Sequence, residues 1–262
     1  MRLGVISGTG AYEWPGLVDP VLQTRETAYG PVEVTVGEVG GVQVVHLSRH
    51  GRRHARLSNH VDHRANLSAL LGCSVDGLVS LTLCGAVDPS VALGSVVVFD
   101  DLYFPANRLP DGTLCTWHDT PGGRGRSHWI FDRPFNEPLR QALLGAARQL
   151  AVPAVAGGCY GHVDGPRFNT RAEIAALGRC GVTAVSQTAG PEVVLAGESE
   201  LPMALLGYVT DHANGVAEAP EPVEALIARA QASLATFAAV VEAAVAGLGA
   251  LRPAGIVYRF EP

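Results

Sequence analysis

The stretch GLVSLTLCG, residues 77–85, is a nearly continuous apolar run that ends in a glycine. A strand that is covered on both faces has such a nearly continuous apolar sequence, because neither face is exposed to water. Similar runs recur at residues 2–8, 33–39, 42–48, 95–101, 183–188 and 202–209, and helical patterns occupy residues 59–71, 136–150, 170–179, 191–199 and 222–248. Strands that alternate with helices predict the α/β class.

The chain is predicted to form one domain over residues 1–262, with a tail at 252–262 whose role stays unassigned. The longest loop, residues 105–127, is rich in glycine and proline, but similar strand and helix patterns flank it. We therefore interpret it as a loop of this domain and not as a linker. In α/β sheets, ligands bind beyond the carboxyl ends of strands, so the candidate site residues should follow the apolar runs.

Composition narrows the possible partners and the cellular location. The net charge is −6 and the pI is about 5.8, whereas a general nucleic-acid binder needs a basic face to neutralise phosphates. Polar side chains interrupt the Ala-rich segment 222–248, so it lacks the run of about 18 apolar residues that suggests a membrane span. The five cysteines form no CxxC pair, and no signal pattern precedes the first strand. We expect a cytoplasmic protein that binds neither nucleic acid nor membrane.

The motif SGTG, residues 7–10, directly follows the first predicted strand. Its glycines would let the backbone approach an anion, and the Thr9 hydroxyl can donate a hydrogen bond to a phosphate oxygen. The motif lacks the third glycine of a dinucleotide fingerprint and the Lys-Ser/Thr pair of a P-loop. A phosphate contact and a plain tight turn both remain open here.

The segment SRHGRRHARLSNHVDHRAN, residues 48–66, offers two kinds of site. His50, His54, His60 and His63 have the close spacing of metal ligands, which suggests a metal-dependent hydrolase. Arginines stand between them at positions 49, 52, 53, 56 and 64, and fixed cations repel a divalent ion but suit a phosphate or carboxylate. The pattern favours an anion site around Arg49 and His50 and leaves the metal site as the alternative.

Three later segments place polar or aromatic residues beside predicted strands and helices. Phe168 lies in GHVDGPRFNTRAE, residues 161–173, where it could plug the core or stack on a nucleobase. Thr188 ends one predicted strand and precedes a helix that starts with Pro and Glu. Asp211 and Asn214 belong to VTDHANGV, residues 209–216, which follows the last apolar run. A surface turn, half a metal site and a ligand contact are all consistent with this last segment alone.

Taken together and in order, these segments resemble the trimeric purine nucleoside phosphorylase and S-methyl-5′-thioadenosine phosphorylase family. The resemblance rests on SGTG, SRHG, LCGAV, GPRFNTRAE and PEVVLAGE, and it covers nearly the whole chain. It implies one domain with a central mixed β-sheet, a distorted barrel flanked by helices. It also implies a homotrimer that cleaves a purine nucleoside with inorganic phosphate as co-substrate and with no metal or other cofactor.

The resemblance assigns a role to each matching position. Asp211 would be the general acid at N7 of the base, and His50 a second catalytic residue. The remaining roles are phosphate binding by Thr9, Arg49, His50, Thr82, Leu83 and Thr188, base binding by Phe168, Asn169, Asp211 and Asn214, sugar binding by Gln187 and His63, and a 5′ pocket formed by His128, Val223 and Leu226. His128 would reach the pocket of a neighbouring subunit.

Three positions depart from the family pattern and bear on the substrate. Asp211 is followed by His212 and Ala213, where adenine-specific members carry Asp-x-Asp, and Gln187 replaces a methionine that lies beneath the ribose. His63 replaces a residue near the sugar. Asp211 favours 5′-methylthioadenosine or a related 5′-modified 6-aminopurine nucleoside, whereas the amides of Asn169 and Asn214 leave inosine and guanosine possible. A catalytically inactive nucleoside-binding protein is a further alternative.

Overall fold

The computed structural model describes residues 1–9, 13–123 and 125–260, and it does not describe the side chain of Arg52. Gly10 of the SGTG motif and the last two residues of the tail therefore lie outside the described residues. The described strands are β1 (Arg2–Ser7), β2 (Val18–Arg25), β3 (Val32–Val39), β4 (Val42–Ser48), β5 (Gly77–Ala86), β6 (Val96–Val98), β7 (Asp101–Tyr103), β8 (Ser127–Ile130), β9 (Ala154–Ala156), β10 (Cys159–His162), β11 (Val182–Ser186), β12 (Met203–His212) and β13 (Ile256–Arg259).

The described α-helices are α1 (His63–Gly72), α2 (Glu137–Gln149), α3 (Arg171–Arg179), α4 (Ala189–Glu198) and α5 (Val223–Val245), and short 3₁₀ turns lie at Arg52–His54 and Ser58–His60. Helix starts follow local capping chemistry. Asp62 and Asn136 accept hydrogen bonds from backbone N–H groups in the first turns of α1 and α2, and Thr170 forms a capping box with Glu173 at the start of α3. The helices predicted at 136–150 and 170–179 agree with α2 and α3, whereas the helix predicted at 59–71 begins only at His63, because residues 58–60 form a 3₁₀ turn.

A large mixed sheet organises the described part of the chain, and β5 lies at its branching point. The strand order is β2-β3-β4-β1-β5-β11-β10-β7, while β12 pairs with β5 on a second branch and continues to β6 and β9. Strands β1 and β12 run parallel to β5, and β4 runs parallel to β1. Strand β11 runs antiparallel to β5. With helices packed on the sheet, this confirms the α/β class and the central mixed sheet.

Burial on both faces explains the apolar runs that mark the central strands. Leu3 and Val5 of β1 pack into a cluster with α2 and α5, whereas Ile6 faces a second cluster with α1 and α4. Because successive side chains of a strand point to opposite faces, a strand between two helical layers needs apolar residues at every position. β5 has the same arrangement and is almost entirely buried.

Helix α5 is long and apolar enough to cross a membrane by length and composition alone. Its carboxyl half instead packs into the core through Phe237, Val240 and Val241, in the same cluster as the buried side of α2. A core helix of a globular protein passes the same length test. Its amino-terminal half is more exposed and forms one side of a cavity described below.

The strand predicted at 95–101 is two strands. β6 pairs with β12 and β9, and β7 pairs with β10, so the chain changes position in the sheet at Phe99 and Asp100. The Asp100 carboxylate accepts a hydrogen bond from the Gly158 N–H at 2.7 Å, which stabilises this change. Helix α4 begins at Ala189, two residues before the predicted start, and β11 ends at Ser186 instead of Thr188.

Candidate active site

A cavity of about 520 Å³ opens where β5, β11 and β12 end and the amino-terminal half of α5 passes over them. Its size suits a nucleoside-sized ligand. The predicted site residues that line it are Thr9, Arg49, His50, Thr82, Leu83, Phe168, Asn169, Gln187, Thr188, Asp211, Asn214 and Leu226. Residues from seven separate segments of the sequence therefore meet in one place.

Arg49 lines the cavity and is almost completely buried. Its guanidinium forms a two-point ion pair with Glu192 of α4 and also donates to the Ser80 hydroxyl at 2.8 Å and the Leu81 carbonyl at 3.0 Å. Burial opposes the charged form, but Glu192 more than offsets that effect and raises the pKa of Arg49. Arg49 is thus a fixed cation, held by neighbours on three sides.

Gly8 shows how closely Arg49 approaches the first turn. A Cβ atom at position 8 would lie 2.8 Å from Nη1 of Arg49, so a larger residue would collide with the guanidinium. Gly8 and Thr9 line the cavity together with Arg49. Glu192 already pairs with the charge of Arg49, so the Gly8 backbone, the Thr9 hydroxyl and the remaining N–H of Arg49 Nη1 are the groups that could bind an anion here.

His50 is neutral in the folded protein. Burial, together with the charge of Arg49, lowers its pKa to about 4. Its Nδ1 lies 2.8 Å from the Arg56 carbonyl, so Nδ1 carries the proton and Nε2 can only accept a hydrogen bond. His50 therefore suits a protonated phosphate oxygen or a sugar hydroxyl as its partner.

Hydroxyl groups complete this part of the cavity. The hydroxyls of Thr82 and Ser186 lie 3.0 Å apart, which ties the carboxyl half of β5 to the end of β11. Thr188 is the N-cap of α4, but its side chain makes no capping hydrogen bond and instead lines the cavity. The amino end of a helix also favours an anion through its dipole.

Asp211 lies in the last residues of β12 and is half-buried. It pairs with Gly85 of β5, four residues along that strand from Leu81, whose carbonyl contacts Arg49. The Thr210 hydroxyl donates to its Oδ1 at 2.6 Å. Burial raises the pKa of Asp211 above the usual value for an aspartate, although the bond from Thr210 works in the other direction. Asp211 lines the cavity, so its carboxyl group is accessible to a ligand.

The rim near Asp211 consists of amides and one aromatic ring. The Asn214 side chain donates from its NH₂ group to the Asn169 carbonyl at 2.7 Å, which links the end of β12 to the segment before α3. Phe168 is 64% exposed and lines the cavity, so a large part of its ring is accessible to a planar ligand. Both features are consistent with the predicted base-binding region.

Gln187 lines the cavity, but protein groups already occupy both ends of its carboxamide. Its oxygen accepts a hydrogen bond from the Ser58 hydroxyl at 3.0 Å, and its NH₂ group donates to the Arg167 carbonyl at 2.9 Å. The predicted sugar contact therefore competes with two protein contacts that the sequence did not reveal.

The structure corrects the prediction for His63. The residue is buried and lies beside Glu192, the ion-pair partner of Arg49, with Nδ1 3.7 Å from Glu192 Oε1, and it does not line the cavity. His63 occupies the first turn of α1, whose packing against α4 turns the side chain into the core. A direct contact between His63 and a sugar is therefore excluded by its position.

The histidine cluster proposed for a metal-dependent hydrolase does not form. His50 stacks on His54 with ring centroids 4.2 Å apart, whereas His63 faces Glu192 and His60 lines a different cavity. Across residues 1–9, 13–123 and 125–260, no three His, Cys, Asp or Glu side chains are grouped as metal ligands. The spacing was misleading because His50 and His54 stack beside the large cavity, whereas His60 and His63 line a different one.

Two predicted 5′-pocket residues lie outside the cavity. His128 is exposed on β8, where its ring contacts Phe260 of the tail at 5.1 Å between centroids, and Val223 is 66% exposed at the start of α5. The predicted reach of His128 into a neighbouring subunit stays a prediction.

Sequence analysis did not identify five further residues that line the cavity, namely Ser58, Ser186, Ile227, Ala230 and Gln231. The helical spacing of Ala230 from Leu226 could have indicated at least that residue.

The fold and the cavity define an α/β protein whose pocket is lined by a buried arginine and hydroxyl groups in one part and by a carboxyl group, amides and an aromatic ring in another. A family model described as the Phosphorylase superfamily matches residues 2–246. The chain therefore belongs to the Phosphorylase superfamily. This agrees with the resemblance drawn from the five motifs.

Relatives of this chain have several named activities. A probable 6-oxopurine nucleoside phosphorylase from Thermococcus kodakarensis is 35% identical over 82% of this chain and 80% of its own length. An S-methyl-5′-thioadenosine phosphorylase from Caenorhabditis briggsae is 33% identical over 81% and 74%, and a probable S-methyl-5′-thioinosine phosphorylase from Xylella fastidiosa is 35% identical over 84% and 92%. The solved methylthioadenosine phosphorylase from Schistosoma mansoni in complex with adenine has a TM-score of 0.84 at 26% identity, covering 94% of this chain and 91% of that one.

Proposed function

We propose that this chain catalyses the phosphorolysis of a purine nucleoside to a free purine base and a pentose 1-phosphate. The observation that carries the proposal is the separation of roles within one cavity, where Arg49 is a fixed cation in one part and Asp211, whose pKa is raised by burial, lies in another. The names of the relatives support the same reaction class.

The reaction needs a held nucleophile and a stabilised leaving group. A phosphate oxygen attacks C1′, the C1′–N9 bond breaks, and its electron pair passes into the purine ring. Arg49, Thr9 and Thr188 would hold the phosphate by positioning and electrostatic attraction. Leu83 would add a backbone N–H, and Thr82 and His50 would fix the remaining oxygens.

Asp211 would give its proton to N7 as the negative charge builds on the base. A carboxyl group is protonated near neutral pH only if its pKa is raised, and burial raises the pKa of Asp211. Phe168 would stack on the purine, with Asn169 and Asn214 at its edge. Phosphate is the co-substrate in this scheme, and no other cofactor is required.

We favour 5′-methylthioadenosine or a related 5′-modified 6-aminopurine nucleoside as the substrate. Asn214 already uses its NH₂ group to bond the Asn169 carbonyl, which leaves fewer donors for a 6-oxo group. Leu226, Ile227 and Ala230 form an apolar wall that suits a thioether better than a hydroxyl. The alternative is a 6-oxopurine nucleoside such as inosine or guanosine. The name of the Thermococcus relative supports this alternative.

We further propose a cytoplasmic homotrimer in which His128 of one subunit completes the pocket of the next. The exposure of His128 on β8 supports this arrangement, because its ring does not reach the cavity of its own chain. Light scattering after size exclusion would measure the assembly. A monomer would contradict it.

A substrate panel tests the reaction. Purified protein is incubated with 5′-methylthioadenosine, 5′-methylthioinosine, adenosine and inosine, each with and without phosphate, and base release is followed by chromatography. We expect phosphate-dependent release, fastest with 5′-methylthioadenosine. Equal release without phosphate would indicate a hydrolase, and ligand-induced thermal stabilisation without any turnover would indicate an inactive binding protein.

A further inference from the structure

The side chain of Gln187 joins two segments that are distant in the sequence and both line the cavity. One is the segment 57–58, of which Leu57 and Ser58 line the cavity, and the other is the loop 163–169, which contributes Phe168. The Ser58 hydroxyl donates to Gln187 Oε1 at 3.0 Å, and Gln187 Nε2 donates to the Arg167 carbonyl at 2.9 Å. One carboxamide therefore bonds to both segments at once.

The loop is packed tightly against this pair of contacts. A Cβ atom at position 165 would collide with Gln187 Oε1 and Ser58 Oγ, so a larger residue there would displace one or both of these side chains. A shape match of this kind indicates a built junction and not a chance surface contact.

The contact with Arg167 lies one residue before Phe168, the predicted base platform. The Arg167 side chain also pairs with Glu173 at the start of α3, and the Asn169 carbonyl accepts from Asn214. The backbone around Phe168 is thus held from α3, from the end of β12 and, through Gln187, from the end of β11. Of these three anchors, Gln187 alone also connects to Ser58.

We propose that Gln187 is a positioning residue, and that it acts with Ser58 and Arg167 as a clasp that holds Phe168 in place for the purine. This deepens the proposed function and rests on it for the identity of the base. The clasp fixes the loop before the ligand arrives, so less conformational freedom is lost on binding. Methionine, which the family usually carries at this position, can form neither hydrogen bond.

Two substitutions separate the halves of the clasp. Gln187→Glu keeps an acceptor for Ser58 but cannot donate to the Arg167 carbonyl, and Ser58→Ala removes the other half. Gln149→Glu at the exposed end of α2 and Ser90→Ala on an exposed turn are matched controls. We expect each clasp variant to raise the KM for the nucleoside about three- to tenfold, the usual effect of one lost hydrogen bond, with the KM for phosphate unchanged.

A direct sugar contact makes a different prediction. If Gln187 instead forms hydrogen bonds with the 2′ and 3′ hydroxyls, Gln187→Glu should not change the KM for 2′,3′-dideoxynucleosides. Ser58→Ala should then leave the KM for every nucleoside unchanged. That pair of results would overturn the clasp. Equal effects of both variants on nucleosides with and without these hydroxyls would support it.

Limited trypsin digestion tests the clasp without any ligand or turnover. Trypsin cleaves after Arg167, whose side chain is largely exposed, and after the exposed Arg108, which serves as an internal reference. We expect Gln187→Glu and Ser58→Ala to speed cleavage at Arg167 relative to Arg108, with no change in the controls. Unchanged cleavage in both variants would overturn the clasp, even if the wild-type protein proved to have no phosphorylase activity.

Discussion

At the scale of single residues, Asp211 depends on its surroundings for its chemistry. The same side chain at the protein surface would be ionised at neutral pH. Here the strands β5 and β12 remove it from water and raise its pKa. The raised pKa makes the carboxyl group available as an acid.

The pH profile of kcat tests this role. The acid form is required, so activity should fall as pH rises through the raised pKa of Asp211, at a higher pH than an ordinary aspartate would give. Asp211→Asn should lower kcat for 5′-methylthioadenosine by roughly 100-fold, the usual size of a general-acid effect, and abolish this limb of the profile. The exposed Asp132→Ala is the control. Wild-type kcat and an unchanged profile in Asp211→Asn would refute the assignment.

At the scale of elements, the turn after β1 requires a glycine at position 8 because the guanidinium of Arg49 lies directly against it. Arg49 cannot move aside for a new atom at position 8, since Glu192, Ser80 and Leu81 hold its guanidinium. A methyl group there would meet Nη1 at 2.8 Å. The glycine of the motif is thus explained by the arginine that follows β4.

Gly8→Ala should therefore raise the KM for phosphate about tenfold or more, a loss comparable to one charged hydrogen bond. The control is Gly145→Ala on the exposed face of α2, where a Cβ meets no atom within 4 Å. That change should leave the kinetics unaltered and stabilise the helix by up to about 1 kcal/mol. Phosphate kinetics at saturating nucleoside provide the measurement, and an unchanged KM in Gly8→Ala would show that Arg49 does not face the phosphate.

The strands differ in how well they can be predicted from the sequence. β1, β4, β5 and β12 were predicted because buried strands need apolar residues, whereas β3 was predicted from its β-branched residues although it is only partly buried. β2 is mostly exposed, and β8, β9, β10 and β13 have only three or four residues, so none of them carries a strong pattern. The break between β6 and β7 also escaped prediction, because it depends on which strands each half pairs with.

At the scale of the whole molecule, buried histidines link stability to pH. Burial lowers the pKa of His46 and His50 to about 4 and that of His162 to about 3. Histidines in the unfolded chain have a pKa of about 6.5. Below that pH, the unfolded chain binds protons that the folded chain does not, so the folded state loses stability as pH falls.

The free energy of unfolding should therefore decrease between pH 7 and pH 4.5, by up to about 4 kcal/mol per pH unit if all three histidines contribute fully. The lowered pKa of Glu192 acts in the same direction at the acidic end, and the raised pKa of Asp211 offsets part of the loss. Urea unfolding at constant ionic strength measures the slope. A free energy that stays constant over this range would contradict the burial of neutral histidines.

The sequence by itself determined the α/β class, the main strands and helices, and the motifs that identify the superfamily. These are local properties, because apolar patterns, caps and glycine turns depend on neighbouring residues. The tertiary structure alone decided which side chains meet. It placed His63 beside Glu192, the ion-pair partner of Arg49, kept the stacked His50 and His54 apart from His60 and His63, and engaged Gln187 with Ser58 and Arg167. Such contacts join residues up to 143 positions apart, as in the Arg49–Glu192 pair, and only the packing of the strands brings them together.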